Sequence, residues 1–212
     1  MTDRLRNVSR RTVVTAVAGV VVLAFAAAAL AGSSFQNGGF ELGFDSWKVA
    51  SSGDGGWFVE HSQPLPVSGN NWRGPTEHEL AAVSDQHHAA SGVLYRFIKV
   101  GSKNVRLTLT LYYTNYASEF CTPATLDETI GSCNQQFRVE ILRSGASPWS
   151  LASGDVLKGV FKTKGGSANA IDPTTVVKSL TGLGSKVMLR IAFVGNRGEL
   201  NATVDDIRVD AG

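Results

Sequence analysis

Proline, cysteine and charge are all thin in this sequence. Of 212 residues, 6 are Pro and 2 are Cys, and charged residues make up 18%. So few prolines exclude a collagen-like or polyproline chain, and two cysteines cannot frame a multi-disulfide scaffold or fill a cysteine-rich zinc site. A surplus of one charge is lacking too, with 20 Lys and Arg against 18 Asp and Glu, a formal net of +2. Arg4, Arg6, Arg10 and Arg11 against Asp3 place +3 on residues 1–31, which leaves the remainder at −1. A near-neutral body without a basic stripe argues against nucleic acid as a partner. Also absent are a G-x-S-x-G elbow, an H-E-x-x-H pair, a P-loop, a dinucleotide fingerprint and any repeat of solenoid period.

What is present begins with an export address. A basic segment, "MTDRLRNVSRR", precedes the apolar run Thr12–Leu30, and Ala29–Ala31 supplies the small residues a signal peptidase reads, with Gly32 as the new N-terminus. "SRRTVV" resembles the twin-arginine export signal, although the usual Phe-Leu pair is missing. The alternative is an uncleaved N-terminal anchor helix, since nineteen apolar residues just span a bilayer. Either way the body, residues 32–212, is expected outside the cytoplasm, secreted or tethered by its N-terminus. The expected partition is a signal or anchor over 1–31 and one domain over 32–212. Cys121 and Cys133 suit that compartment. They flank a polar insert, and a bridge closing so short a loop stabilises by roughly 3 kcal/mol on the chain-entropy argument.

The body reads as strands. In "VRLTLTLYY" Val105, Leu107, Leu109, Leu111 and Tyr113 share one face, with Arg106, Thr108, Thr110 and Tyr112 on the other. "FRVEI" and "VMLRIAF" continue the alternation, with Arg138 and Glu140 outward, and "HELAAVS", "GVLYRFIKV", "VLKGVFKT", "TTVVKSL" and "TVDDIRV" are further β-rich runs. No amphipathic helix of useful length follows residue 32. Many short strands without helices leave a sandwich or a barrel, and uneven spacing favours an antiparallel β-sandwich.

Two ends of the body carry a resemblance. "NGGFELGFDSWKV" resembles the opening of galactose-binding-like jelly rolls, in particular bacterial carbohydrate-binding modules that start with Asn-Gly-x-Phe-Glu and a Trp soon after. "VDDIRV" is similar to their last strand, and "AAVSDQHHAASGVLYRFIKV" to a strand-turn-strand of such proteins. The resemblance implies a jelly roll whose first and last strands meet at a structural calcium. Glu41 and one acid of Asp205/Asp206, preferably Asp206, match ligand positions, with Asn37 and Gly39 offering carbonyl oxygens. A hard cation of that kind takes six to eight oxygens.

Chemistry is sparse. His78 and His87 lie in the one polar cluster with transition-metal ligands, "EHEL" with "DQHH", but alternation splits Glu77 and Glu79 from His78. Tyr95, Arg96 and Tyr112 are the residues a jelly-roll lyase would use, with no partners that the sequence places. Binding is better supported. Trp57, Trp72, Tyr112, Tyr116 and Trp149 fall outside the plainest core pattern. Trp57 and Trp72 lie in a Gly-, Ser- and Asn-rich stretch that reads as the longest loop. Trp47 reads as core. The expectation is an exported, non-catalytic protein that recognises an extracellular polysaccharide or glycan through Trp57, Trp72, Tyr112 and Tyr116. The alternative is a structural or adhesive surface protein with protein partners, and the third reading is a polysaccharide-active enzyme. The oligomeric state is left open.

Overall fold

The computed structural model describes residues 35–101 and 104–211. The expected signal or anchor over 1–31 lies outside them. Among the described residues eight strands follow one another: β1 Lys48–Glu60, β2 Ala81–Lys99, β3 Val105–Asn115, β4 Gln135–Arg143, β5 Val156–Lys162, β6 Ala170–Ser179, β7 Lys186–Gly195 and β8 Leu200–Ala211. Every pairing is antiparallel, in the order β5-β4-β7-β2-β8-β3-β6, with β1 on the other side of β2.

The long β2 serves two layers. Its second half, Ala90–Lys99, pairs with β7, whereas Ala82 and Val83 pair with β8. β1 follows β2 through both, so the layers are β5-β4-β7-β2-β1 and β6-β3-β8-β2-β1, a jelly-roll sandwich. The turn from one layer to the other falls where the β1–β2 register slips between Gly53 and Gly55. Those glycines are needed there: a Cβ on Gly53 would lie 2.2 Å from the Ala89 carbonyl oxygen, and one on Gly55 2.4 Å from that of Asp85. The expected strand-turn-strand over 81–100 is therefore one bent strand, and the Gly-rich stretch after Lys48 is a strand instead of a loop.

Alternation places the core as read. Leu107, Leu109 and Leu111 meet Leu189, Ile191 and Phe193 between the layers, all without exposed surface. Each such side chain contributes about 1.5–3 kcal/mol by leaving water. The opening stretch closes one end of this core. Asn37, at φ 54°, donates through its side-chain amide to the carbonyls of Gly43 and Asp45 and accepts from the Leu42 N–H, which ties a tight turn. The turn buries Phe40 stacked on Trp47, 5.2 Å between centroids. Gly38 then lets the backbone reach β8: Ile207 donates to its carbonyl at 3.0 Å, and a Cβ there would strike Ile207 at 1.8 Å. First and last segments do meet.

Both outer faces are roofed by connections. Residues 61–80 form a strap over β8, β2 and β3, with Leu65 and Trp72 packed on Ala81, Val83 and Tyr112. Two aspartates without exposed surface hold it. Asp85 accepts from Val67 and Ser68 N–H, and Asp205 from Thr76 N–H, Thr76 hydroxyl and Glu77 N–H. On the other layer the insert 121–134, closed by the Cys121–Cys133 disulfide with its Cα atoms 5.7 Å apart, lays Leu126 on Val93 and Val194. There Glu128 accepts from Ser52 and Ser91 hydroxyls at 2.5 and 2.6 Å. Arg138 and Glu140 point outward as read, yet they are buried.

Asp205→Asn replaces a carboxylate that accepts three strap donors by a group with one acceptor oxygen and an N–H₂ of its own. Charged acceptors of this kind contribute about 1.5–3 kcal/mol per bond. Urea unfolding is expected to show a loss of about 3 kcal/mol, with strap residues becoming the first site of proteolysis. An unchanged midpoint would mean that Asp205 does not hold the strap.

Candidate functional site: a groove along strand β3

The outward face of the second layer is a lattice of cross-strand rows. Alternation turns Tyr112 and Thr114 of β3 outward, and register sets them beside Thr203 and Asn201 of β8. On β2 the matching residues are Val83, opposite Thr203, and Asp85, whose carboxylate accepts from the Asn201 amide at 3.2 Å. One row further, Tyr116 N–H donates to the Glu199 carbonyl at 2.9 Å, and Glu199 lies 3.4 Å from His87 Nδ1. The strap roofs the β8 and β2 side of this lattice. Trp72 Nε1 donates to Thr203 at 2.8 Å, and the Asn70 amide donates to Glu199 at 2.7 Å and to Asn201 at 3.0 Å.

What stays open is a cleft between strap and β6, with β3 as its floor. It holds about 180 Å³ and is lined by Asn71, Trp72 and Arg73 of the strap, Tyr112 and Thr114 of β3, Ala170, Ile171 and Asp172 of β6, and Asn201. Arg73 and Asp172 face each other across it at 2.6 Å, both well exposed. Such a pair contributes little to stability and can be re-partnered by a ligand. Around it stand two nearly buried ring side chains and, at the rim, amide, hydroxyl, guanidinium and carboxylate groups.

The sequence-predicted residues fare unequally. Tyr112 and Trp72 come together in the cleft, although only 5% and 3% of their surfaces are exposed. Trp72 is thus as much the strap's anchor as a contact. Trp57 is a correction: at 4% exposure it packs edge-on against Phe193 in the core, because the Gly-rich stretch pairs as β1 and alternation turns it inward. Tyr116 is 49% exposed, beyond the cleft's end. Burial, then Glu199 and Asp85, hold its hydroxyl above the usual tyrosine range. Arg73, Asp172 and Asn201 were not read as site residues; the spacing Tyr112, Thr114, Tyr116 was the available signal for the floor.

The other candidates scatter. Arg96 covers the Phe35 ring at 3.9 Å and donates to the Gln36 carbonyl, and Tyr95 packs beside the covered outer face of the first layer, so these two do not form a cleft with Tyr112. Trp149 roofs the same layer. His78 is exposed at φ 58°, and His87 pairs with Glu199 instead of joining it.

The residues expected to hold calcium sit in one corner but do not form a cage as they stand. Glu41 accepts the N–H groups of Glu79 and Leu80, Asp206 pairs with Arg208 at 2.5 Å, and the Asn37 carbonyl takes Trp47 Nε1. Gly39 lies beside His78 and Asp205. Burial raises the Asp206 carboxyl, Arg208 opposes that, and Glu77 and Asp205 raise it again. Among the described residues no three acidic, histidine or cysteine side chains gather where they could share a metal.

No protein-family model matches the chain, and no curated protein does. Solved structures do. A carbohydrate-binding module of family 61, determined with β-1,4-galactotriose, superposes at TM-score 0.52 and 13% identity, covering 85% of this chain and 99% of that one. The K3 cleaved adhesin domain of Lys-gingipain from Porphyromonas gingivalis superposes at 0.50 and 15% identity, over 82% and 96%. The fold is therefore the β-sandwich jelly roll that was expected, one that a carbohydrate-binding module and an adhesin domain share.

Tyr112 offers a test of the cleft's interior. Its hydroxyl donates to the Gly74 carbonyl, and its ionisation is pushed up to about 12, first by burial; a Thr203 hydrogen bond opposes this and Asp205 adds to it. An unfolded tyrosine ionises near 10. Between pH 10 and 12 the unfolded chain therefore gives up this proton while the folded one keeps it, and stability falls as pH rises. Compared with Tyr112→Phe, the natural protein is expected to lose about 2–3 kcal/mol more across that window in denaturant titrations. Parallel pH profiles would mean that the hydroxyl is not buried.

Proposed function

We propose that this protein is an exported, non-catalytic binding protein that recognises carbohydrate in the cleft between strap and β6. The observation that carries the reading is the meeting of Trp72 and Tyr112 with Arg73, Asp172, Asn71 and Thr114 around one opening. The rim offers donors and acceptors for sugar hydroxyls, and the small part of Tyr112 and Trp72 left open adds an apolar contact. The fold's likeness to a galactotriose-binding module is in keeping with this, as are the export features of residues 1–31.

Binding of the full-length protein to a panel of polysaccharides is the direct test. Arg73→Ala and Asp172→Ala are the informative variants, because both side chains are exposed and their removal should leave the fold intact. Each is expected to weaken binding about tenfold, a loss of about 1.4 kcal/mol, with an unchanged Tm. A folded protein that retains nothing from the panel would favour an adhesive role with protein partners.

The resemblance also supports a structural calcium at the Glu41–Asp206 corner. Glu41 and Asp206 would hold it with the Gly39 carbonyl, after Arg208 turns away from Asp206. A cation there would offset the crowding of Asp205, Asp206 and Glu77. Calcium is expected to raise Tm by several degrees over chelator-treated protein, and Glu41→Gln to abolish the difference. Equal Tm values would mean that no calcium holds that corner.

A further inference from the structure

The rows that build the cleft do not stop where it does. Thr114 and Asn201 line it, and just past the ends of the same two strands the Tyr116 N–H donates to the Glu199 carbonyl, with His87 of β2 beside Glu199. Asn70 of the strap bridges the rows, since its amide donates to both Glu199 and Asn201. Tyr112, Thr114 and Tyr116 thus follow one another along a track of up to about 13 Å, the reach of four steps of extended chain. The cleft's 180 Å³ lies below the usual range for pockets that enclose a drug-sized ligand. It suits one sugar ring, whereas the track is long enough for more.

Tyr116 also differs from the other candidate aromatics. It keeps 49% of its surface exposed, while Trp57, Trp72 and Tyr112 keep 5% or less. An exposed ring at the end of a polar track is a stacking platform with little desolvation left to overcome. Glu199 and His87 beside it supply an acceptor and an imidazole for ring hydroxyls, and Asp172 stands at the other end. At the Tyr116 end, Glu199 disfavours an acidic chain, since a uronate or sulfate there would meet like charge.

We propose that Tyr116, Glu199 and His87 form a second sugar subsite, continuous with the cleft, and that the ligand is a neutral hexose oligosaccharide lying along β3. This rests on the carbohydrate reading above. The cleft takes one ring, Asn70 and Asn201 pass the chain on, and Tyr116 stacks under a later ring.

The test is calorimetric titration of the full-length protein with galactose, β-1,4-linked galactobiose and galactotriose, and with glucose, cellobiose and cellotriose. In at least one series affinity should rise about tenfold or more from one unit to three. Tyr116→Ala, at an exposed position that should not affect folding, is expected to flatten that rise while binding of the single sugar stays within twofold. Arg73→Ala should weaken every member. Polygalacturonate should not compete. If Tyr116→Ala keeps the full dependence on length, or polygalacturonate competes as well as the neutral trisaccharide, the second subsite falls and the cleft stands. If the natural protein binds neither series nor any polysaccharide of the panel, the carbohydrate reading falls and takes the subsite with it.

Discussion

Two buried aspartates hold the face on which the candidate site is built. Asp85 and Asp205 expose no surface, and each spends its carboxylate on backbone N–H groups of the strap. A connection of this length carries donors that sheet pairing does not satisfy, and burying them unpaired would cost more than packing Leu65 and Trp72 returns. The carboxylates remove that cost. With the strap in place, Trp72 reaches Thr203, Asn70 reaches Asn201 and Glu199, and the space left along β3 becomes a groove. The groove is what remains of a sheet face after a loop has been pinned to half of it.

The same solution recurs on the other layer. Glu128 fixes the disulfide insert through two serine hydroxyls, and Arg190 fixes residues 144–155 by donating to the Pro148 and Ser150 carbonyls while paired with Glu140. Buried ions are costly by themselves and act here as specific pins. Arg138 shares Glu140 at 3.5 Å and is also buried, which leaves two guanidinium groups on one carboxylate. One layer is therefore closed by its connections, and the other is closed only in part.

Much of the architecture was legible before any coordinates. Strict alternation in β3 and β7 assigned the inward residues correctly, and the motifs at the two ends implied first and last segments that touch. They do so through Gly38 and Ile207. The first part of the Gly-rich stretch, 51–60, was misread as loop because glycine ordinarily weakens strands, whereas its second part is the loop that was expected. Here the first part lets β1 and β2 bend together between layers, and Trp57 went into the core with it. Arg138 and Glu140 were read as outward, which is right about direction and wrong about solvent.

By itself, the sequence determined the all-β class, the two faces of strands such as β3 and the short covalent loop at Cys121–Cys133, because these depend on residues close together in the chain. Tertiary structure alone decided which faces are roofed, that Arg73 and Asp172 confront each other, and that Tyr112 and Tyr116 share a track with Asn201 and Glu199. Those facts depend on register between strands more than 80 residues apart and on where a loop finds acceptors for its N–H groups. Alternation says which way a side chain points; it does not say what lies above it.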